Sequence, residues 1–240
     1  TDDSLPIGGP YLENLREKIK IKQLNHLYLG RNYNNEDIKK HIEVNNLTKE
    51  FEINFFDKIS DLNEIVSSLL KENKIVARFA GREEWGARAL GNRSILCNPE
   101  DIGNINLINS IVKKRDFWMP FTPTIQREFE EEYFENPKKI NGCFMSSAFI
   151  STLTGREHLK AAIHPKDYTI RPQILDKKTN PDYYDLIDQF RLKTGVGALL
   201  NTSFNLSGEP NVSSPSTLTI FFLSTSIGKI AKKTIHQIII

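Results

Sequence analysis

Between Gly81 and Ser94 the chain places three arginines, Arg82, Arg88 and Arg93, among three glycines, Gly81, Gly86 and Gly91. A guanidinium is planar, permanently charged and forks five donors toward carboxylate or phosphate oxygens. Glycine lets the backbone turn tightly and lets a ligand approach it. The segment is too glycine-rich for a stable helix and follows an apolar run, Ile75 to Ala80. It reads as an anion-binding loop at a strand end, suited to phosphate chemistry. The competing reading is a surface loop whose arginines pair with Glu83 and Glu84.

Three more clusters could carry chemistry. Lys113, Lys114 and Arg115 precede a stiff stretch, Phe117 to Phe121, that could hold their side chains rigidly. A solvated helix end would also collect such cations. Arg171 lies before Pro172, which restricts its backbone to extended conformations and so fixes its direction. An exposed strand arginine is the alternative there. Asn201, Thr202, Ser203 and Asn205 end an apolar run and are followed by Gly208, Glu209 and Pro210. Such a turn suits oriented binding of phosphate or sugar hydroxyls, or is a plain polar turn. Ser203 has no base beside it in sequence and reads as a binding hydroxyl, not a nucleophile. The histidines, at 26, 41, 158, 164 and 236, show no ligand spacing, which argues against a metal site made by this chain alone. No Gly-x-x-x-x-Gly-Lys-Ser/Thr occurs, which argues against a phosphate-loop NTPase.

These clusters need a scaffold. Helices are expected over Tyr11–Lys22, around Ile38–Ile42 after Asn34 or Asn35, from Ser60 to near Asn73, over Ile105–Val112, within Gln126–Phe134, over Asp182–Lys193 and from Ser214-Pro215 to Phe222. Strands are expected over Phe51–Phe56, Lys74–Ala80, Cys143–Ile150, Val196–Leu200 and Ile235–Ile240. Pro120 and Pro123 suggest turns or an edge strand. Helix, strand and Arg-Gly loop in that order suggest an α/β layer with its site beyond strand ends.

With 240 residues the chain suits one large domain or a domain with an appendage. A net charge of +2 is too small to imply general attraction to nucleic acid or membrane, so any basic site must be local. Cys97 and Cys143 read as reduced thiols of a cytoplasmic protein. No signal peptide and no apolar run of membrane-spanning length is visible.

The clusters in this order resemble the C-terminal domain of the NodU/CmcH-type O-carbamoyltransferases. The matching phrases are Gly81 to Leu96, Lys113 to Pro123, Asn180 to Tyr184, and Leu199 to Pro210. Asp3 to Gly9 resembles the close of that family's N-terminal domain. The resemblance implies residues 1–24 as the tail of a sugar-kinase-like carbamoyl-transfer domain and 25–240 as a YrdC-like domain. The implied fold is mixed α/β (α+β), a twisted open sheet of parallel and antiparallel strands flanked by helices. The implied reaction takes ATP, with Mg2+, and carbamoyl phosphate to carbamoyl adenylate, releasing phosphate and pyrophosphate. The N-terminal domain, holding iron or another divalent metal through histidines, would pass the carbamoyl group to an acceptor hydroxyl. The resemblance gives catalytic roles to Lys113, Arg115 and Arg171. It gives substrate and ATP binding to Arg82, Arg88, Arg93, Ser146, Asn201, Ser203 and Asn205. One departure is Met119, where the family usually has arginine before Pro-Phe; Lys114 could substitute. Competing readings are an RNA-binding YrdC-like module, a threonylcarbamoyl-adenylate synthase-like enzyme, and an inactive regulatory copy.

Overall fold

A computed structural model describes residues 4–114, 119–224 and 238–239. Its centre is a five-stranded mixed sheet in the order β2-β3-β9-β4-β8. These strands are β2 (Val76–Phe79), β3 (Arg93–Cys97), β4 (Thr122–Gln126), β8 (Gln173–Leu175) and β9 (Ala198–Ser203). Only β4 and β8 run parallel; the other neighbours are antiparallel. A second sheet joins β5 (Phe134–Glu135), β6 (Phe149–Ser151) and β7 (Thr169–Ile170). The expected mixed sheet with helices is the observed one.

One face of the central sheet packs on α3 (Ile59–Lys71) and α7 (Pro181–Thr194). Leu70 joins Leu186, Ile187 and Phe190, with Leu96 and Leu199, in one buried cluster there. Burial of these side chains removes apolar surface from water and is the main force holding the layers together. The opposite face packs Ile95, Cys97 and Leu200 on α4 (Gly103–Ile108) and α8 (Pro215–Ser224).

Local signals set several boundaries. Asn34 caps α2 (Asn35–Val44) in a reciprocal capping box with Asp37. Asn180 caps α7 by accepting from the Tyr183 amide, Pro181 opens it, and Gly195 ends it at φ +86°.

Other expectations are corrected. The first helix, α1, spans Leu5–Arg16 and buries no side chain; Lys18, at φ +55°, turns the chain out of it. Ser60 does not cap α3, which starts at Ile59 without a side-chain cap. The 51–56 strand shrinks to β1 (Ile53–Asn54), paired parallel with β10 (Ile238–Ile239). The other positions of the expected 235–240 strand lie outside the described residues. The 143–150 strand is a loop up to Ala148, because Met145 sits at φ +54°, which an extended strand does not allow.

β4 is an interior strand despite Pro123. Gln126 donates its N–H to Gly197 beside β9, so by alternation the Pro123 nitrogen faces β8. Pairing with β8 begins only at Thr124, and the missing N–H therefore breaks no ladder bond.

Candidate anion site at the end of the sheet

β9 ends where β4 begins and where Arg171 leads into β8. The β2–β3 loop, which contains Gly81 to Asn92, folds over the same end. Between them lies a pocket with about 80 Å³ of room, partly open to solvent. Arg88 and Ala89 of the loop, Thr122 of β4, Arg171, and Thr202 and Ser203 of β9 form much of its wall. Asn201, Met145, Ala87, Pro120 and Phe121 complete it, and no carboxylate is among these residues.

Arg88 and Arg171 set the electrostatics. Among the described residues neither guanidinium has a carboxylate or hydrogen-bond partner, and the Arg171 Nε is buried without one. Burial, and then the charge of Arg88, push Arg171 below the ordinary arginine range. Two like charges facing one acid-free pocket repel each other until an anion enters. The Thr202 hydroxyl stands beside them as a donor for its oxygens, whereas the Thr122 hydroxyl donates to Asn201 O and the Ser203 hydroxyl to Asn205 Oδ1.

The three loop arginines do not act as one cluster. Arg82 is exposed and donates to the Leu29 carbonyl at 2.9 Å. Arg93 is fully buried, stacks on the Phe79 ring at 3.7 Å, and donates to Ala80, Gly81 and Asn92 carbonyls. Burial depresses its pKa, against the raising influence of Glu84 and Glu83. Only Arg88 reaches the pocket wall. Among the described residues no arginine forms a salt bridge with Glu84, whose Oε1 accepts the backbone N–H groups of Leu90, Asn92 and Arg93.

Lys113 reaches the site from the far side. α4 continues as a π-helical turn, Asn109–Lys113, ended by Lys114 at φ +43°. Such turns re-aim side chains and occur often at functional sites. Lys113 is 6% exposed, and its ammonium lies 2.6 to 3.0 Å from four oxygens: Ser203 O and Oγ, and Asn205 O and Oδ1. It thereby ties the helix to the turn after β9, which Asn205 closes further through Glu209 O at 2.6 Å. Ser203 is thus shared between Lys113 and the pocket wall, whereas Asn205 faces Lys113.

Ser146 sits exposed in the loop after Met145, not on the central strand that its expected role assumed. Arg115 lies outside the described residues. Met119 is exposed, beside the Pro120 wall. Sequence reasoning passed over Thr122 and Met145 as pocket residues, while Thr202 lies in the turn it had marked for binding. Thr122, Thr124 and Gln126 alternate along β4, a period-2 polar pattern that could have marked a lined strand face. Among the described residues no group of three or more His, Cys, Asp or Glu could hold a metal ion. None of their helices is long and apolar enough to cross a membrane.

Comparison with known proteins bears on the fold and the family. E. coli YciO superposes with a TM-score of 0.52 at 15% identity, over 79% of this chain and 83% of that one, and the fold is YrdC-like. The chain is 34% identical to nodulation protein NolO of Bradyrhizobium diazoefficiens over 86% of its length. It is 31% identical, over 68% of its length, to the 3'-hydroxymethylcephem-O-carbamoyltransferase of Amycolatopsis lactamdurans. An uncharacterised protein of Methanocaldococcus jannaschii is 35% identical over 94% of the chain. The matched stretches span 37%, 30% and 37% of those three relatives respectively. The family described as Carbamoyltransferase C-terminus matches residues 67–236, which include the pocket, Lys113 and the turn after β9, and the chain belongs to that family.

Proposed function

We propose that this chain is the carbamoyl-activating part of an O-carbamoyltransferase, taking ATP and carbamoyl phosphate and forming carbamoyl adenylate. The observation that carries the reading is the pair of guanidiniums, Arg88 and Arg171, facing one pocket without a carboxylate. In the proposed reaction water splits carbamoyl phosphate to carbamate and phosphate. A carbamate oxygen then bonds to the α-phosphorus of ATP, and pyrophosphate leaves with the electron pair of the broken phosphoanhydride bond. Charge builds on that pyrophosphate, and fixed cations aimed at it lower the barrier. Arg88 and Arg171 are assigned to the phosphate oxygens, and the Thr202 hydroxyl to orienting them, with Ser203 held between Lys113 and Asn205. Lys113 holds Ser203 and Asn205 in place and carries positive charge toward the same end of the sheet. The pocket wall offers no carboxylate or imidazole to magnesium, so Mg2+ fits as an ion carried on the nucleotide's own phosphates.

The transfer to an acceptor hydroxyl is assigned to a separate sugar-kinase-like domain, with residues 1–24 as its tail. The test is pyrophosphate release from ATP and magnesium by the intact protein, with and without carbamoyl phosphate, following the adenylate by mass spectrometry. Release that requires carbamoyl phosphate and disappears in Arg171→Ala supports the reading. Nucleotide binding without release under either condition rejects it.

A further inference from the structure

The backbone that follows Arg88, from Ala89 to Arg93, is held through both its N–H and its carbonyl groups. Glu84, 7% exposed, collects three N–H groups on one carboxylate oxygen: Leu90 at 2.8 Å, Asn92 at 2.6 Å and Arg93 at 3.2 Å. The carbonyls are held from elsewhere in the chain. Leu90 O accepts from the Tyr28 hydroxyl at 2.7 Å and from Gln173 Nε2 at 2.8 Å, and Ala89 O accepts from Asn201 Nδ2 at 3.2 Å. The loop's converging amides, which could have bound an outside anion, are thus filled by the chain's own carboxylate. Arg88 is the loop's one charged side chain in the pocket wall, beside Ala87 and Ala89. Two buried arginines, Arg78 and Arg93, stand close enough to Glu84 to interact with its charge. A neutral amide at 84 would lose that compensation and bind the three N–H groups more weakly.

We infer that Glu84 is a positioning residue for the anion pocket, acting through Arg88 by fixing the backbone that presents it. This rests on the reading of the pocket as an anion site. Holding a donor in its working geometry before the ligand arrives removes an ordering cost from binding.

The experiment is a double-mutant cycle on the intact protein, with inorganic pyrophosphate as the probe and calorimetry as the readout. Arg88→Ala is expected to weaken binding at least ten-fold, and Glu84→Gln by a similar factor. The double variant should bind no more weakly than Arg88→Ala alone, since Glu84 acts only through that side chain. Tyr28→Phe removes one hydroxyl from the same backbone anchor and keeps the test open if Glu84→Gln fails to fold. It should weaken binding about two- to three-fold, and that loss too should vanish in the Arg88→Ala background. A generally structural role predicts the opposite, with losses that multiply in the double variants; that result, or unchanged affinity in Glu84→Gln and Tyr28→Phe, overturns the inference alone. Unchanged affinity in Arg88→Ala overturns it together with the pocket reading.

Discussion

At the scale of single residues, Arg171 and Lys113 are both cations of one site but are held differently. Arg171 faces the pocket with its Nε unpartnered and a like charge nearby. Its replacement by alanine should cost binding and not folding: a lost charged hydrogen bond of about 1.5–3 kcal/mol weakens ATP or pyrophosphate about ten- to hundred-fold. The melting temperature should stay level or rise slightly, because a repulsive partner of Arg88 is gone. Lys113 is buried among four protein oxygens. Lys113→Ala strands those acceptors and should cost about 3 kcal/mol of stability as well as activity. Calorimetric binding and urea denaturation on the two variants separate the cases; an equally stable Lys113→Ala would contradict this account of its place.

At the scale of elements, the loop between β2 and β3 is built around a close approach. Gly91 sits at φ +115°, and a Cβ there would run into the ring of Tyr183 on α7. The ring cannot retreat, being fully buried under α3 and the sheet. Gly91→Ala therefore combines backbone strain with overpacking and should cost about 3 kcal/mol or more. Urea denaturation measures that loss, and a change below 1 kcal/mol would mean that α7 yields easily. The contact also explains why an anion loop needs a glycine at that point without any ligand touching it. Elements set by local chemistry were legible beforehand: the caps of α2 and α7 rest on side chains three residues from their partners. The interior place of β4 was not legible, because Pro123 is harmless only through the register that β8 adopts.

At the scale of the molecule, the amino-terminal region divides into two parts. α1 buries nothing, whereas residues 27–31 strap the Arg-Gly loop. Gly30 N donates to Glu83 O, Glu83 N to Arg31 O, and Trp85 N to Leu27 O. Removing residues 1–18 should leave the melting temperature unchanged; removing residues 1–31 should lower it by several degrees. Equal effects would show that the strap adds no stability. Tyr28 of the strap also links stability to pH. Burial is the chief reason its pKa is pushed from 10.0 up to about 12. Between those values the unfolded chain has released a proton that the fold retains, so stability falls as pH rises through that window. Alkaline unfolding followed by circular dichroism should thus shift upward in Tyr28→Phe relative to the parent measured at the same pH values, and an unshifted curve would remove Tyr28 from the effect.

Sequence alone settled the family, the mixed sheet and the helix ends whose caps lie within a few residues of what they cap. It also marked the phrases from which the pocket is built, because guanidinium, hydroxyl and glycine announce their chemistry wherever they stand. What only the tertiary structure decided is which of those groups share a space. Arg82, Arg88 and Arg93 look equivalent in the chain, yet one straps, one faces the pocket and one is buried. Lys113 meets Ser203 across 90 positions. Glu84 turned out to hold its own loop's amides, not its arginines. A side chain's direction depends on strand register and on the layer packed behind it. Those are set by burying apolar surface across the whole molecule, a sum that no local spacing contains.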